Sequence, residues 1–203
     1  MKLKICGLKD PENIKQVALL KPDYMGFIFY PSSKRFIGDD FVMPFISPEI
    51  KKVGVFVNAN SSYIIDKMDE YKLDFIQLHG NETADFCEVF NHFVPVIKAF
   101  GINEQFDWNV LNEYKDKCSY FLFDTKTEQY GGSGKQFEWN LLGKYEHHLP
   151  FFLSGGIGLE EIEKLKIEIP IAIGMENYGV DVNSKFEIEH GIKNIKELEK
   201  IKV

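Results

Sequence analysis

A thiol and a carboxylate each stand directly after an apolar, strand-like run of this sequence. Cys6 follows Leu3–Ile5, and Asp124 follows Tyr120–Phe123. In barrels of alternating strands and helices, residues at the carboxyl ends of the strands face the substrate. A thiol and a carboxylate in such positions are suited to proton transfer, so we predict that the two residues form an acid–base pair.

Each of these residues also has a purely structural interpretation. A free cysteine often does no more than pack in a core, and a carboxylate at a strand end often accepts backbone hydrogen bonds in a turn. The other two cysteines fit packing better, because Cys87 lies within a predicted helix and Cys118 at the entrance to a strand. The position before Gly7 at a strand end favours Cys6 as the reactive thiol.

Two adjacent glycines indicate a phosphate site. Gly155 and Gly156 follow the apolar run Phe151–Leu153, just before a predicted helix, and exposed backbone N–H groups there can bind an anion. The loops after strands seven and eight often form the phosphate site of an eight-stranded barrel. Asp181 and Ser184 lie at the end of the last strand-like run. An ordinary glycine turn is the alternative.

Three further polar features follow strand-like runs. Arg35 can bind a carboxylate through two parallel hydrogen bonds, although a solvated surface arginine is the alternative. His79 is suited to a polar contact, but no second ligand keeps metal-binding spacing with it, so we predict no metal site there. The glycine-rich segment Lys126–Lys135 predicts a mobile lid, with a phosphate-binding loop as the alternative.

These residues need a scaffold, and eight strand-like runs alternate with helical patterns along the chain. Runs with little polar alternation suit parallel strands buried on both faces, and the repeated alternation is typical of a parallel α/β fold. An open doubly wound sheet would need a Gly-x-Gly-x-x-Gly turn after strand one, which is absent here. We therefore predict a single-domain (β/α)8 TIM barrel over residues 1–203. The predicted strands are Lys2–Cys6, Tyr24–Phe29, Lys52–Val57, Phe75–Leu78, Pro95–Phe100, Tyr120–Asp124, Phe151–Ser154 and Tyr178–Val182.

The predicted helices differ in quality. Asp10 as N-cap and Pro11 at the first helical position open the first, whereas Pro44 interrupts the second, around Asp40–Ile46. The apolar segment Ile169–Ile173 also has strand character, and our assignment of strand eight to Tyr178–Val182 leaves the seventh helix short. The other predicted helices are Tyr63–Tyr71, Ala84–Phe93, Asn103–Glu113, Phe137–His148, Glu160–Leu165 and Asn194–Ile201.

Composition excludes several classes of protein. A formal net charge of −7 without any basic run argues against nucleic-acid binding. The chain has neither an apolar span of about 18 residues nor the apolar core of a signal peptide. Three separated cysteines fit a reducing compartment. We predict a cytoplasmic protein that acts on a small molecule and binds no membrane, and a monomer, because no long exposed apolar helix face stands out.

The motifs together, in their order along nearly the whole chain, resemble those of phosphoribosylanthranilate isomerases. The matching segments are Lys4–Gly7, Gly26–Tyr30, Ser33–Arg35, Val55–Asn58, Gln77–Gly80, Phe123–Asp124, Gly131–Trp139, Ser154–Gly156 and Asp181–Ser184.

The resemblance implies an Amadori rearrangement of N-(5'-phosphoribosyl)anthranilate, in tryptophan biosynthesis, without cofactor or metal. It implies that Asp124 is the general acid that opens the ribose ring and that Cys6 is the general base at the sugar carbon C2. Nearby positive charge should then favour the Cys6 thiolate.

The resemblance also implies the binding residues. Arg35 would hold the anthranilate carboxylate, Asp181 and His79 would line the anthranilate side, and Gly155, Gly156 and Ser184 would contact the phosphate. The chain departs from the family at Asn183 and Lys185, where the family more often has serine and glycine. Lys185 gives up easy access to positive φ but can add a cation near the phosphate.

Two other functions remain open at this point. A histidine-pathway isomerase acts on a similar substrate, but that family typically uses an aspartate where this chain has Cys6. A barrel that binds a phosphate ligand without turning it over is the alternative outside the enzymes.

Overall fold

The computed structural model of the protein describes residues 1–125, 138–173 and 178–202. Eight parallel strands close a barrel in chain order, with β8 hydrogen-bonded to β1. The strands are β1 (Lys2–Ile5), β2 (Tyr24–Ile28), β3 (Lys51–Phe56), β4 (Phe75–Leu78), β5 (Val96–Ile102), β6 (Tyr120–Thr125), β7 (Phe151–Leu153) and β8 (Tyr178–Val182). The predicted (β/α)8 barrel and all eight predicted strands are confirmed.

Helices and short connections surround the barrel. The α-helices are α1 (Pro11–Leu19), α2 (Ser61–Tyr71), α3 (Ala84–Asn91), α4 (Leu159–Ile173) and α5 (Ile195–Leu198). The 3₁₀ helices are Trp108–Glu113, Trp139–Lys144 and Ser184–Phe186. After β8 the chain adds an antiparallel hairpin of β9 (Glu187–Glu189) and β10 (Ile192–Lys193).

Several predicted helices come out differently. The seventh helix is not short, because α4 continues through Ile173; an apolar run of five residues is compatible with helix or strand, and the preceding helix extends through it. The helices predicted at Asn103–Glu113 and Phe137–His148 are reduced to 3₁₀ helices within the described residues. The stretch that joins β2 to β3, all of it described, contains no helix, which agrees with the interruption by Pro44.

The start of α1 follows its capping residues. The Asp10 side chain accepts a hydrogen bond from the Asn13 N–H at 2.7 Å, and Pro11 opens the helix as predicted. Such a cap satisfies one of the four backbone donors that have no partner at a helix start.

The barrel interior has an apolar layer below a polar one. Tyr24, Val53, Ile97, Leu122 and Phe152 form a buried cluster inside the barrel. Side chains two residues apart on a strand point to the same face. Asp124 and Ser154, two residues after Leu122 and Phe152, therefore also face the barrel interior. Together with residues of β1, β4 and β8 they form the polar layer. Its buried residues are Lys4, Gln77, Asp124, Ser154 and Asp181.

Candidate active site

A cavity that is open to solvent lies at the carboxyl ends of the strands, where the active sites of such barrels are built. The cavity brings together all the site residues predicted from the sequence: Cys6, Arg35, His79, Asp124, Gly155, Gly156, Asp181 and Ser184.

Cys6 is held at the junction of β1 and β8. Its backbone N–H donates to the Val182 carbonyl at 3.0 Å, and its side chain is only 4% exposed. Burial raises the pKa of the thiol above its ordinary value, and Asp181 adds to that effect, whereas the ammonium groups of Lys4 and Lys193 act against it. The positive charge expected near the thiol is therefore present, on two lysines.

Lys4 forms a buried ion pair with Asp181. The two residues are partners in the β1–β8 register, and Lys4 Nζ lies 2.9 Å from Asp181 Oδ1. Burial raises the pKa of Asp181, and Lys4 opposes that change. Although burial alone would lower the pKa of Lys4, the charges of Asp181 and Cys6 raise it on balance. Lys4 therefore remains a cation beside the thiol.

Arg35 is engaged by a carboxylate from the hairpin. Its Nε and Nη2 donate to the two oxygens of Glu187 at 2.8 and 2.7 Å, and Lys193 Nζ lies 2.9 Å from Glu187 Oε1. Although burial opposes it, these cations lower the pKa of Glu187 to about 2. Arg35 thus lines the cavity with a resident carboxylate on its guanidinium, in the planar fork geometry that it would also offer to a ligand.

Asp124 lies between a backbone donor and a histidine. The Thr125 N–H donates to Asp124 Oδ1 at 2.9 Å, and His79 Nε2 lies 3.3 Å from Oδ2. The other ring nitrogen of His79, Nδ1, lies 2.7 Å from the Gln77 side-chain amide. The contacts of His79 are therefore with the predicted acid and with Gln77.

The loop after β7 has the backbone geometry that its glycines permit. Gly155 and Gly156 have φ values of +90° and +67°, a region that other residues rarely adopt. A Cβ atom at Gly155 would lie 2.3 Å from Thr125 Oγ1 and 3.0 Å from Asp124 Oδ1. This close approach joins the predicted phosphate loop directly to the strand end that carries Asp124.

The loop after β8 completes the predicted phosphate side. Ser184 begins a 3₁₀ helix and lines the cavity. Asn183 and the exposed Lys185 line the cavity as well. At the start of α4 the Gly158 N–H donates to Glu161 Oε2 at 2.8 Å, so a side chain of the helix itself already occupies this backbone donor.

Sequence reasoning missed three charged residues of the site: Lys4, Glu187 and Lys193. Lys4 had a usable signal, because a lysine within a strand buried on both faces needs a partner. Glu187 and Lys193 had no such signal, because they lie in a polar segment whose pattern is typical of an exposed surface. The predicted lid Lys126–Lys135 lies outside the described residues.

Within the described ranges, no helix combines the length and the apolar character needed to span a membrane. No set of three or more histidine, cysteine or acidic side chains in the same ranges is grouped as metal ligands would be.

Comparison with known proteins identifies the family. The family model "N-(5'phosphoribosyl)anthranilate (PRA) isomerase" matches residues 3–202. N-(5'-phosphoribosyl)anthranilate isomerase from Parabacteroides distasonis is 42% identical, with 98% of this chain and 90% of that protein covered. The same enzyme from Phocaeicola vulgatus is 38% identical, with 96% and 92% covered.

Solved structures agree with the sequence comparison. The crystal structure of phosphoribosyl anthranilate isomerase from Thermotoga maritima has a TM-score of 0.82 at 34% identity, with 98% of this chain and 95% of that chain covered. Another isomerase structure, in complex with reduced 1-(o-carboxyphenylamino)-1-deoxyribulose 5-phosphate, has a TM-score of 0.77 at 29% identity and the same coverage. The chain therefore belongs to the family of N-(5'-phosphoribosyl)anthranilate isomerases.

Proposed function

We propose that this isomerase uses Asp124 as general acid and Cys6 as general base. The reaction of the family is the Amadori rearrangement of N-(5'-phosphoribosyl)anthranilate to 1-(2-carboxyphenylamino)-1-deoxyribulose 5-phosphate, a step of tryptophan biosynthesis, and this chain catalyses it. Asp124 protonates the ribose ring oxygen, which opens the ring to a Schiff base. Cys6 removes the proton from C2, and the resulting enolamine tautomerises to the ketone.

The observation that carries the proposal is the position of the two groups around one cavity. Cys6 and Asp124 lie at the ends of β1 and β6, and the loops after β7 and β8 come between them in the closed barrel. A phosphate held by Gly155, Gly156 and Ser184 would place the attached ribose between the acid and the base. This order around the barrel supports acid–base isomerisation of an anchored sugar.

The remaining residues would bind the anthranilate end of the substrate. Arg35 would hold the anthranilate carboxylate, and His79 and Asp181 would line that side of the cavity. Because Glu187 occupies two nitrogens of Arg35, binding of the substrate carboxylate would use the other guanidinium nitrogen or displace Glu187. Lys185, exposed at the rim, would add positive charge near the phosphate.

The proposal extends to the state of the protein. We propose that residues 1–203 act as a single catalytic domain, as a monomer in the cytoplasm, without metal or cofactor. The composition and the separated cysteines support the cytoplasmic assignment.

Two substitutions test the catalytic roles. We expect Cys6→Ser and Asp124→Asn each to lower kcat by about 10²–10⁴-fold, because a general acid or base contributes about that factor. Loss of phosphoribosylanthranilate fluorescence would report turnover. The affinity for reduced 1-(o-carboxyphenylamino)-1-deoxyribulose 5-phosphate, by calorimetry, should change little.

Cys118→Ala is the matched control for the thiol, since Cys118 is a buried cysteine that does not line the cavity. Near-native turnover in both site variants would contradict the acid–base assignment. Tight binding of the reduced product by the unmodified protein, without any turnover above the spontaneous background, would favour a barrel that only binds its ligand.

A further inference from the structure

We propose that Lys4 and Lys193 are positioning residues that stabilise the thiolate form of Cys6, and that Asp181 sets how strongly Lys4 does so. The inference rests on the proposed role of Cys6 as general base. It adds to that role the groups that make a buried thiol available as a base.

Lys4 stands on the same strand face as Cys6. The two are separated by one residue of β1, so both side chains point into the barrel. Lys4 is completely buried, and Nζ contacts the Asp181 carboxylate at 2.9 Å. Burial raises the pKa of the Cys6 thiol, and the charge of the Lys4 ammonium group opposes that change. Lys4 is therefore shared between a carboxylate and the thiol.

Lys193 approaches Cys6 from the hairpin that follows β8. Its side chain is buried, and Nζ contacts Asn183 Oδ1 at 2.7 Å and Glu187 Oε1 at 2.9 Å. The backbone of Lys193 is fixed by two hydrogen bonds with the Asn13 side chain of α1, at 2.7 and 2.9 Å. The ammonium group is thus held in place by Asn183 and Glu187, and its charge acts on the Cys6 thiol in the same direction as that of Lys4.

The charged side chains near the Cys6 sulfur have a net positive charge, which a thiolate would neutralise. Lys4, Asp181 and Lys193 act on the Cys6 thiol. Lys193 is paired in turn with Glu187, which also binds Arg35, so the group comprises three cations and two carboxylates. Asp124 and His79 face the same cavity from β6 and β4 and act on Asp181. An ionised Cys6 neutralises the excess positive charge of the five-residue group, which offsets part of the cost of burying a thiolate.

The proton balance of the step is simple. The Cys6 thiol loses its proton to solvent in the open cavity, and the resulting thiolate accepts the proton of the sugar carbon. Lys4 and Lys193 transfer no proton in this step; burial lowers the pKa of Lys193, and the charges of Glu187 and Cys6 oppose that change. Their contribution is electrostatic, so it must appear as a change in the pH at which the thiol ionises.

Alkylation of Cys6 by iodoacetamide measures that pH directly, because only the thiolate reacts. The rate is followed from about pH 6 to about pH 10 by mass spectrometry, which separates the Cys6 peptide from those of Cys87 and Cys118. We expect Lys4→Met to raise the midpoint by about one pH unit, which makes alkylation near neutral pH about tenfold slower. We expect Lys193→Met to shift it in the same direction by less, and Asp181→Asn to shift it downward.

Lys2→Met is the control on the same strand, since Lys2 is exposed and pairs with Asp23; its midpoint should equal that of the wild type. Lys4→Met leaves Asp181 without its partner, which can prevent folding. The double variant Lys4→Met/Asp181→Asn removes both charges, and its midpoint should lie above that of Asp181→Asn alone.

Equal midpoints in Lys4→Met and Lys2→Met, or in the double variant and Asp181→Asn, would overturn the role of Lys4. An unchanged midpoint in Lys193→Met would overturn the role of Lys193. Alkylation requires no turnover, so this test is independent of the proposed reaction. Failure of the reaction itself would instead appear as retained activity in Cys6→Ser.

Discussion

Buried charges next to one another decide what each residue of this site can do. Asp124 and His79 share one contact, between Oδ2 and Nε2 at 3.3 Å. Either side chain can be the hydrogen-bond donor in that contact. The Arg35–Glu187–Lys193 group is different, because an arginine and a lysine both bind one carboxylate. Such a group stabilises the fold only while the carboxylate is ionised.

Glu187→Gln should therefore destabilise the protein in a pH-dependent way. The pKa of Glu187 falls from an ordinary 4.5 to about 2 in the folded protein, so its contribution is complete above about pH 4.5 and is lost as the pH falls towards 2. We expect the variant to lose about 2–4 kcal/mol of unfolding free energy at neutral pH. The loss should become small near pH 2.

Urea unfolding at a series of pH values measures this difference. Glu189→Gln is the control, because Glu189 lies exposed on the same strand. A loss for Glu187→Gln that is the same at pH 2 and at neutral pH would show that the shifted ionisation does not stabilise the fold.

The close approach of neighbouring strands determines where the reactive side chains lie. Gly26 of β2 lies beside Cys6, and a Cβ atom there would be 2.7 Å from the Cys6 sulfur and 3.1 Å from its Cα. The Gly26 carbonyl also accepts hydrogen bonds from the Gly7 and Leu8 N–H groups, at 3.0 and 3.2 Å. The Cys6 thiol, just after β1, can therefore occupy its position only because Gly26 has no side chain.

Gly26→Ala should displace the Cys6 sulfur. We expect kcat to fall by about tenfold or more, because a misplacement of about 1 Å at a reacting group is costly, and stability to fall by about 1–3 kcal/mol from overpacking. Steady-state kinetics and urea unfolding measure the two effects.

Gly143→Ala is the matched control, since a Cβ atom at Gly143 would meet nothing within 4 Å. Unchanged kcat in Gly26→Ala, with its urea unfolding also unchanged, would mean that the strands adjust and that Gly26 does not position the thiol.

Closure of the barrel is what assembles the site at the scale of the whole molecule. Lys4 and Asp181 are separated by 177 residues and meet because β8 pairs with β1. Arg35 and Glu187 are separated by 152 residues and meet because the hairpin after β8 brings Glu187 next to the segment that follows β2.

We expect the protein to be active as a monomer. Light scattering coupled to size-exclusion chromatography should give a mass of 23.5 kDa at assay concentrations. Twice that mass would show a dimer. A dimer whose dilution abolishes activity would contradict the prediction.

The amino-acid sequence by itself determined the order of the eight strands and the reactive groups at their carboxyl ends. Both are local properties: an apolar run predicts a buried strand, and the next residue along the chain, such as Cys6 or Asp124, supplies the chemistry. Local patterns failed at Ile169–Ile173, where a short apolar run suits helix and strand equally well.

Only the tertiary structure decided the partners of the buried charges. Lys4 with Asp181, and Arg35 and Lys193 with Glu187, are pairs whose members come from different strands and loops. No pattern among sequence neighbours specifies such pairs, because they depend on which strand ends meet when the barrel closes and on where the hairpin after β8 lies. Those contacts set the electrostatics of Cys6, whereas the sequence alone determined only that a thiol would be there.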